Sequence, residues 1–265
     1  MSSKDSVRQT LLVAFLLCLV CSIVVSGTAV ILKPMQDDNK LLDRQKNILA
    51  AAGLFDSQVH TNADVGMLFE QFTPLIVDLD ESRLVSENEL DALGIDPVTY
   101  DPRDALTDPD LSNALPRDED IANIKRRVRY TTVYVVAEDG GTGFETIVLP
   151  ISGYGLWGIL YGYLALEGDA NTVTGIGFYE LKETPGLGAE VMNPRWQGQW
   201  PGKEIYDGNG RVAIDVVQGG AAGDHEIDGL AGATLTSRGV ENIIQFWMGE
   251  NGFRPFLEQF RPSGI

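Results

Sequence analysis

A long apolar run close to the N terminus limits the folds that are open to this chain. The run from Leu11 to Leu32 has 22 residues, of which 18 are apolar and none is charged. A helix of that length would be about 33 Å long, which is enough to cross the hydrocarbon core of a bilayer. We therefore predict a transmembrane helix over residues 11–32.

A cleaved signal peptide is the alternative interpretation of this run. Lys4 and Arg8 form a basic leader, and the small residues 26–29 resemble a cleavage region. The apolar run continues past them to Leu32, which favours an uncleaved anchor. Residues 33–40, by contrast, carry two acidic residues and two lysines. The positive-inside tendency then places residues 1–10 in the cytoplasm and everything after Lys33 on the opposite side of the membrane.

The two cysteines of the chain, Cys18 and Cys21, both lie within the predicted span. Their C-x-x-C spacing is compatible with a redox pair, but two small apolar packing residues explain it within a lipid-embedded helix. The remaining sequence therefore contains no disulfide, no thiolate nucleophile and no cysteine metal site.

The charge of the chain is strongly acidic, with a net value of −18. This charge argues against nucleic acid or an anionic lipid surface as a binding partner. Between Asp78 and Asp120 the sequence has 14 acidic residues against three arginines. Because that segment is rich in proline and lacks the spacing of a calcium loop, we interpret it as a solvated, loop-rich surface and not as a cation site.

The pattern after the membrane span predicts an α+β fold. Residues 33–53 form an amphipathic helical pattern that ends at Gly53, either a stalk or the first helix of the domain. Residues 54–129 contain the acidic segment, and residues 130–265 contain several β-branched and aromatic stretches. Helices are predicted only at the two ends, which favours one domain with a largely antiparallel sheet and flanking helices over alternating βαβ units.

Two glycine-rich stretches could contact a planar ligand. The first, GYGLWG at residues 153–158, matches G-x-G-x-x-G, but a strand-like pattern follows it where a dinucleotide site requires a helix. We therefore reject a Rossmann site. Leu156 and Trp157 would form either a flat apolar wall or the tip of a tight strand connection.

The second stretch is ETPGLGAEV, residues 183–191, in which Thr184 begins a turn and Gly186 permits unusual backbone angles. Leu187 at its tip suits packing against a ring system, and a plain hairpin loop explains the stretch equally well. Glu183 and Glu190 would act as an acid–base pair only with a substrate between them. No hydrolase or zinc motif occurs in the sequence, so we predict neither catalytic residues nor metal ligands.

The stretch DGLAGATLTSRGV, residues 228–240, leads into a helical pattern that continues to Met248. Thr236 or Ser237 is the predicted N-cap of that helix. Thr234 would then lie just outside the helix, where free amide groups and the positive end of the helix dipole favour a phosphate.

The same stretch resembles the flavin-attachment motif D-x-x-[S/T]-G-A-[T/S] of FMN-binding domains. Together with the two glycine-rich stretches, the N-terminal span and NKLLDRQKNILAAAGL (residues 39–54), it is similar to the family of C subunits of sodium-translocating NADH:quinone oxidoreductases, from about residue 10 to the end. The resemblance implies that Thr234 carries FMN as a phosphoester and that Asp228, Gly232 and Ala233 complete the motif. One position departs from the motif, because Ala231 stands where Ser or Thr is usual.

The resemblance has further implications for cofactor contacts, partners and location. It implies that residues 130–265 form an FMN-binding domain, with the flavin near Leu156, Trp157, Thr184, Gly186 and Leu187. It also implies a single-pass subunit of a bacterial inner-membrane complex, with a periplasmic domain that a flavin transferase modifies. Such a subunit transfers single electrons while other subunits bind NADH and quinone, and the complex exports Na⁺. The alternatives are a tethered binding or sensor domain without a redox role, and the homologous flavoprotein subunit of a related electron-transport complex.

Overall fold

A computed structural model of the protein describes residues 7–138, 140 and 143–260, so Lys4 lies outside the described residues. The chain forms two compact units, residues 1–44 and 45–265. The first unit is dominated by helix α1 (Val7–Ala51), which is continuous through Pro34. By length and composition α1 is able to cross a membrane. The predicted span and the predicted stalk are thus parts of one helix.

The second unit combines short helices with a sheet. Its helices are α2 (Val65–Phe69), α3 (Glu87–Leu93), α4 (Pro194–Gln197), α5 (Thr234–Trp247) and α6 (Arg254–Leu257), with 3-10 helices at Asp104–Thr107 and Gly188–Met192. Its strands are β1 (Thr73–Asp78), β2 (Arg83–Leu84), β3 (Ser112–Ala114), β4 (Arg126–Val128), β5 (Tyr130–Ala137), β6 (Phe144–Tyr154), β7 (Ile159–Glu167), β8 (Val173–Glu180), β9 (Asp215–Val217) and β10 (Glu226–Asp228).

The main sheet has six strands in the order β2-β1-β5-β6-β7-β8, and every neighbouring pair is antiparallel. Strands β3 and β4 form a small antiparallel pair, and β9 and β10 form a parallel one. The predicted α+β class is confirmed. The prediction of helices only at the two ends is wrong, because α2, α3 and α4 lie between them. Helix α3 is short but has a capping box between Ser86 and Glu89, which stabilises its first turn.

Helix α5 packs against one face of the main sheet. Strand residues alternate between the two faces, so Leu160, Leu164 and Leu166 of β7 point to the same side. These leucines share a buried core with Val240 and Ile243 of α5. This packing fixes the N-terminal end of α5 beside the β6–β7 connection.

The end of α1 within the second unit packs against β8. Ile48 and Leu49 are fully buried. A Cβ atom at Gly175 of β8 would lie 2.4 Å from the carbonyl oxygen of Ala51, so only glycine permits this approach. Since Gly175 and the core residue Ile176 alternate along β8, the α1 end covers the face opposite to α5.

The acidic segment is more ordered than the sequence predicts. The side chain of Asp78 is only 1% exposed, and Oδ2 accepts bonds from Nε and Nη2 of Arg129 at 2.9 and 2.8 Å. Arg127 pairs with Asp80 in the same region. The predicted solvated surface is therefore wrong for Asp78, because a buried carboxylate requires a partner and the basic cluster at residues 125–129 supplies it.

Candidate functional site

Thr234 is the first residue of α5, with its side chain exposed to solvent. Two predictions about this turn are wrong: Thr234 is not outside the helix, and neither Thr236 nor Ser237 is the N-cap. Ala233 occupies that position, with φ −131° and ψ 48°. The helix starts early because Gly232, at φ +75°, reverses the chain just before it.

The other two hydroxyl groups of this stretch are buried and form hydrogen bonds within the domain. Thr236 Oγ1 donates to Oε2 of Glu183 at 2.7 Å. Ser237 Oγ accepts from the amide of Leu230 at 2.9 Å and donates to the carbonyl of Ala233 at 3.1 Å, which closes the turn before α5. Thr234 is therefore the hydroxyl residue of the three that is accessible to solvent.

Among the described residues, the Thr234 hydroxyl has one side-chain hydrogen-bond partner, Gln218. Its Nε2 atom donates to Thr234 Oγ1 over 3.0 Å from the loop after β9. Among the residues that the structure describes, no side chain caps the N terminus of α5. The amides of the first turn are therefore free to face a phosphate group on Thr234. Nothing in the sequence pattern pointed to Gln218, since 16 residues separate it from its partner.

Among the hydrogen bonds of the described residues, none joins the side chains of Asp228 and Thr234, and Asp228 instead holds the loop that carries Gln218. Its Oδ1 accepts from the amide of Ala221 at 2.8 Å. The Asp228 backbone is fixed in turn, because its amide donates to Gln199 Oε1 and its carbonyl accepts from Trp196 Nε1, each at 2.9 Å. Ala231, the departure from the motif, is exposed.

The GYGLWG stretch is the β6–β7 hairpin, in which the amide of Gly155 donates to the carbonyl of Gly158 at 2.9 Å. A strand follows it, which confirms the rejection of a Rossmann site. Leu156 and Trp157 form the hairpin tip and are 38% and 63% exposed. The tight connection thus also presents an apolar surface.

The ETPGLGAEV stretch joins β8 to a 3-10 helix, so the hairpin-loop interpretation is wrong. Its turn is closed by the Thr184 carbonyl, which accepts from the amides of Leu187 and Ala189 at 3.1 Å each. A Cβ atom at Gly232 would lie 3.3 Å from Cδ2 of Leu187. The exposed Leu187 side chain therefore lies directly beside the motif turn. Thr184 and Gly186 are both exposed in the same loop.

Glu183 connects the two glycine-rich stretches with α5. Its Oε1 accepts from the amides of Leu156 and Trp157, both at 2.9 Å, and its Oε2 accepts from Thr236 Oγ1. The Glu183 side chain is buried. An acid–base role with Glu190 does not fit these contacts, because Glu190 instead accepts from Asn193 Nδ2 at 2.7 Å.

Two carboxylates near the site have shifted pKa values. Hydrogen bonds from the amides of Ala222 and Gly223 lower the pKa of Glu226. The same hydrogen bonds help to order the loop after β9. Partial burial on α5 raises the pKa of Glu241. Within the described residues, no group of three or more His, Cys, Asp or Glu side chains is arranged to hold a metal ion.

Comparison with known proteins places these features in a family. The family model for the FMN-binding domain matches residues 155–249, which include most of the first glycine-rich stretch, all of the second and the Thr234 motif. The C subunit of the Na(+)-translocating NADH-quinone reductase of Pseudomonas aeruginosa is 50% identical over 98% of both chains. The corresponding protein of Yersinia pestis is 45% identical over 99% of this chain and 96% of that protein.

A solved structure gives the same result. The crystal structure of Shewanella oneidensis NqrC aligns with a TM-score of 0.73 and 34% identity, covering 84% of this chain and 98% of that one. The chain therefore belongs to the NqrC family, the C subunits of the Na⁺-translocating NADH-quinone reductases.

Proposed function

We propose that this chain carries FMN, bound covalently through a phosphoester to Thr234 Oγ1, and serves as a one-electron carrier in a Na⁺-translocating NADH-quinone reductase. The observation that carries this proposal is the position of Thr234. It is the exposed hydroxyl of a motif turn within the FMN-binding match, at a helix N terminus that no described side chain caps. The family membership supplies the reaction.

The residues around Thr234 fit both parts of the cofactor. On the polar side, the first amides of α5 and the Gln218 side chain are hydrogen-bond donors at the place where the phosphate would be attached. On the apolar side, Leu156, Trp157 and Leu187 are exposed. Leu156 and Trp157 are joined to α5 through Glu183, and Leu187 lies beside Gly232 of the motif turn.

These residues have separate tasks in the proposed mechanism. Thr234 Oγ1 would lose its proton and form a bond to the phosphorus of FMN. A flavin transferase would supply the FMN group from a flavin dinucleotide, breaking the phosphoanhydride bond and releasing the other nucleotide as its monophosphate. Leu156, Trp157 and Leu187 would pack against the isoalloxazine ring, and Thr184 and Gly186 would lie at its edge. Asp228, Gly232 and Ala233 shape the turn. The bound FMN supplies the one-electron chemistry, and the phosphoester leaves its ring unmodified.

The proposed location follows from α1. Residues 1–10 would be cytoplasmic, 11–32 would span the bacterial inner membrane, and 33–53 would form the stalk. Residues 54–129 and the FMN-binding domain, 130–265, would be periplasmic. The partners are the other subunits of the complex, which bind NADH and quinone and transport Na⁺. This orientation rests on Arg8 and Lys4 preceding the apolar run.

The proposal is tested by flavin fluorescence on a denaturing gel. The full chain, expressed with its transferase, should give a fluorescent band and the mass of an FMN ester. Thr234→Ala should abolish both signals, whereas Ser237→Ala, which removes a buried hydroxyl of the same turn, should retain them. A dark wild-type band would contradict covalent attachment, and fluorescence that survives Thr234→Ala would contradict the assignment of the acceptor.

A further inference from the structure

Three separate stretches of sequence meet at the buried carboxylate of Glu183. The β6–β7 hairpin tip is bound through the amides of Leu156 and Trp157, and α5 is bound through Thr236. The third stretch is the loop that follows Glu183 itself. Each carboxylate oxygen therefore binds a different element.

The backbone approaches the Glu183 carboxylate closely on two sides. A Cβ atom at Gly155 would come within 2.6 Å of Oε1. A Cβ atom at Gly188 would come within 2.5 Å of both Oε2 and Thr236 Oγ1. Glycines on two sides thus allow the backbone to approach Glu183, and a larger residue at either position would displace it.

We infer that Glu183 is a positioning residue for the bound flavin, which rests on the function proposed above. Its carboxylate fixes the hairpin tip and the 184–187 loop relative to the α5 turn that carries Thr234. Leu156 and Trp157 are thereby held at a constant distance from Leu187, as two walls for one planar ring. Without Glu183, two backbone amides and a hydroxyl would be left without this acceptor, and the hairpin tip would be free to move.

The inference is tested with three variants and a matched control in the full-length chain carrying FMN. Glu183→Ala removes the acceptor altogether. Glu183→Gln retains an oxygen for the two amides, although its amide group then faces Thr236 Oγ1 as a donor. Thr236→Val removes only the bond to α5. The control is Glu190→Gln, which changes a nearby carboxylate whose described side-chain partner is Asn193.

The measurement is the fluorescence anisotropy of the attached flavin in the native protein. Glu183→Ala should lower the anisotropy towards the value of the denatured chain, Thr236→Val should give an intermediate value, and Glu183→Gln and Glu190→Gln should stay close to wild type. Rescue by Gln separates a positioning role from a general loss of folding.

An unchanged anisotropy in Glu183→Ala would overturn the inference. If that variant does not fold, the Thr236→Val result decides, and a wild-type anisotropy there overturns it as well. A wild-type chain without covalent flavin would be a different failure, because it removes the proposed function and this inference together.

Discussion

The side-chain amide of Gln218 donates a hydrogen bond to Thr234 Oγ1 across a gap of 3.0 Å. This contact joins the loop after β9 to the first residue of α5. It leaves the hydroxyl proton of Thr234 directed away from Gln218, because the oxygen is the acceptor in the pair.

We expect Gln218→Ala to slow flavin attachment by about three- to ten-fold, which corresponds to the loss of one hydrogen bond of about 0.5–1.5 kcal/mol. Gln218→Glu should slow it further, since a carboxylate beside the acceptor repels the incoming phosphate. The measurement is the time course of band fluorescence after the transferase and its flavin donor are added. Gln245→Ala is the control, because Gln245 lies on α5 away from its N terminus and donates to Glu241.

Asp228 should act on the same step through the loop. Asp228→Ala leaves the amide of Ala221 without its acceptor, so we expect attachment to slow by a similar factor. The effects of Asp228→Ala and Gln218→Ala should be clearly less than additive in a double-mutant cycle, because the first change already displaces Gln218. Fully additive effects would show that Asp228 contributes by another route.

The buried carboxylate of Asp78 should contribute strongly to stability. Breaking a buried ion pair costs about 3–5 kcal/mol, and Arg129 retains Glu81 as a partner, so we expect Asp78→Ala to lower the free energy of unfolding by about 2–3 kcal/mol. Thermal or chemical unfolding of the full chain would measure this. Asp110→Ala, an exposed position in the same acidic segment, should change stability by less than about 0.5 kcal/mol.

The raised pKa of Glu241 predicts a pH-dependent stability. Between its unfolded and folded pKa values the native state binds more protons than the unfolded state, so stability falls as pH rises through that window. We expect Glu241→Gln to stabilise the protein at neutral pH, and this gain should vanish below the unfolded pKa.

The lowered pKa of Glu226 predicts the opposite dependence of stability on pH. Its lowered pKa contributes stability above the unfolded pKa that is lost as pH falls through the folded pKa. Glu226→Gln should therefore destabilise the protein at neutral pH and have no such effect in acid. Unfolding midpoints of both variants across pH would check the two predictions, and shifts of the same sign would contradict them.

The sheet and the long helices could be predicted because their signals are local. The alternation of β7 and the helical periodicity of α5 are visible in a few residues, and the apolar run covers about half of α1. Helix α3 was missed although its capping box, Ser86 to Glu89, is also a local signal.

The details of the site depend on contacts between distant residues. The N-cap prediction failed because Thr236 bonds to Glu183, 53 residues earlier, and so was not available to cap α5. The contact between Gln218 and Thr234, and the hydrogen bonds that Glu183 accepts, could not be inferred from spacing for the same reason. The family motif predicts Thr234 as the acceptor without describing what surrounds it.

The exposed position of Thr234 at the start of α5 bears on when the protein matures. The core face of α5 is complete without this side chain, and its two neighbouring hydroxyls are bonded inside the finished fold. The folded domain therefore presents the Thr234 hydroxyl at its surface. Under the proposed function, flavin attachment would therefore require no unfolding of the domain, and the transferase would be able to act in the compartment that contains the folded protein.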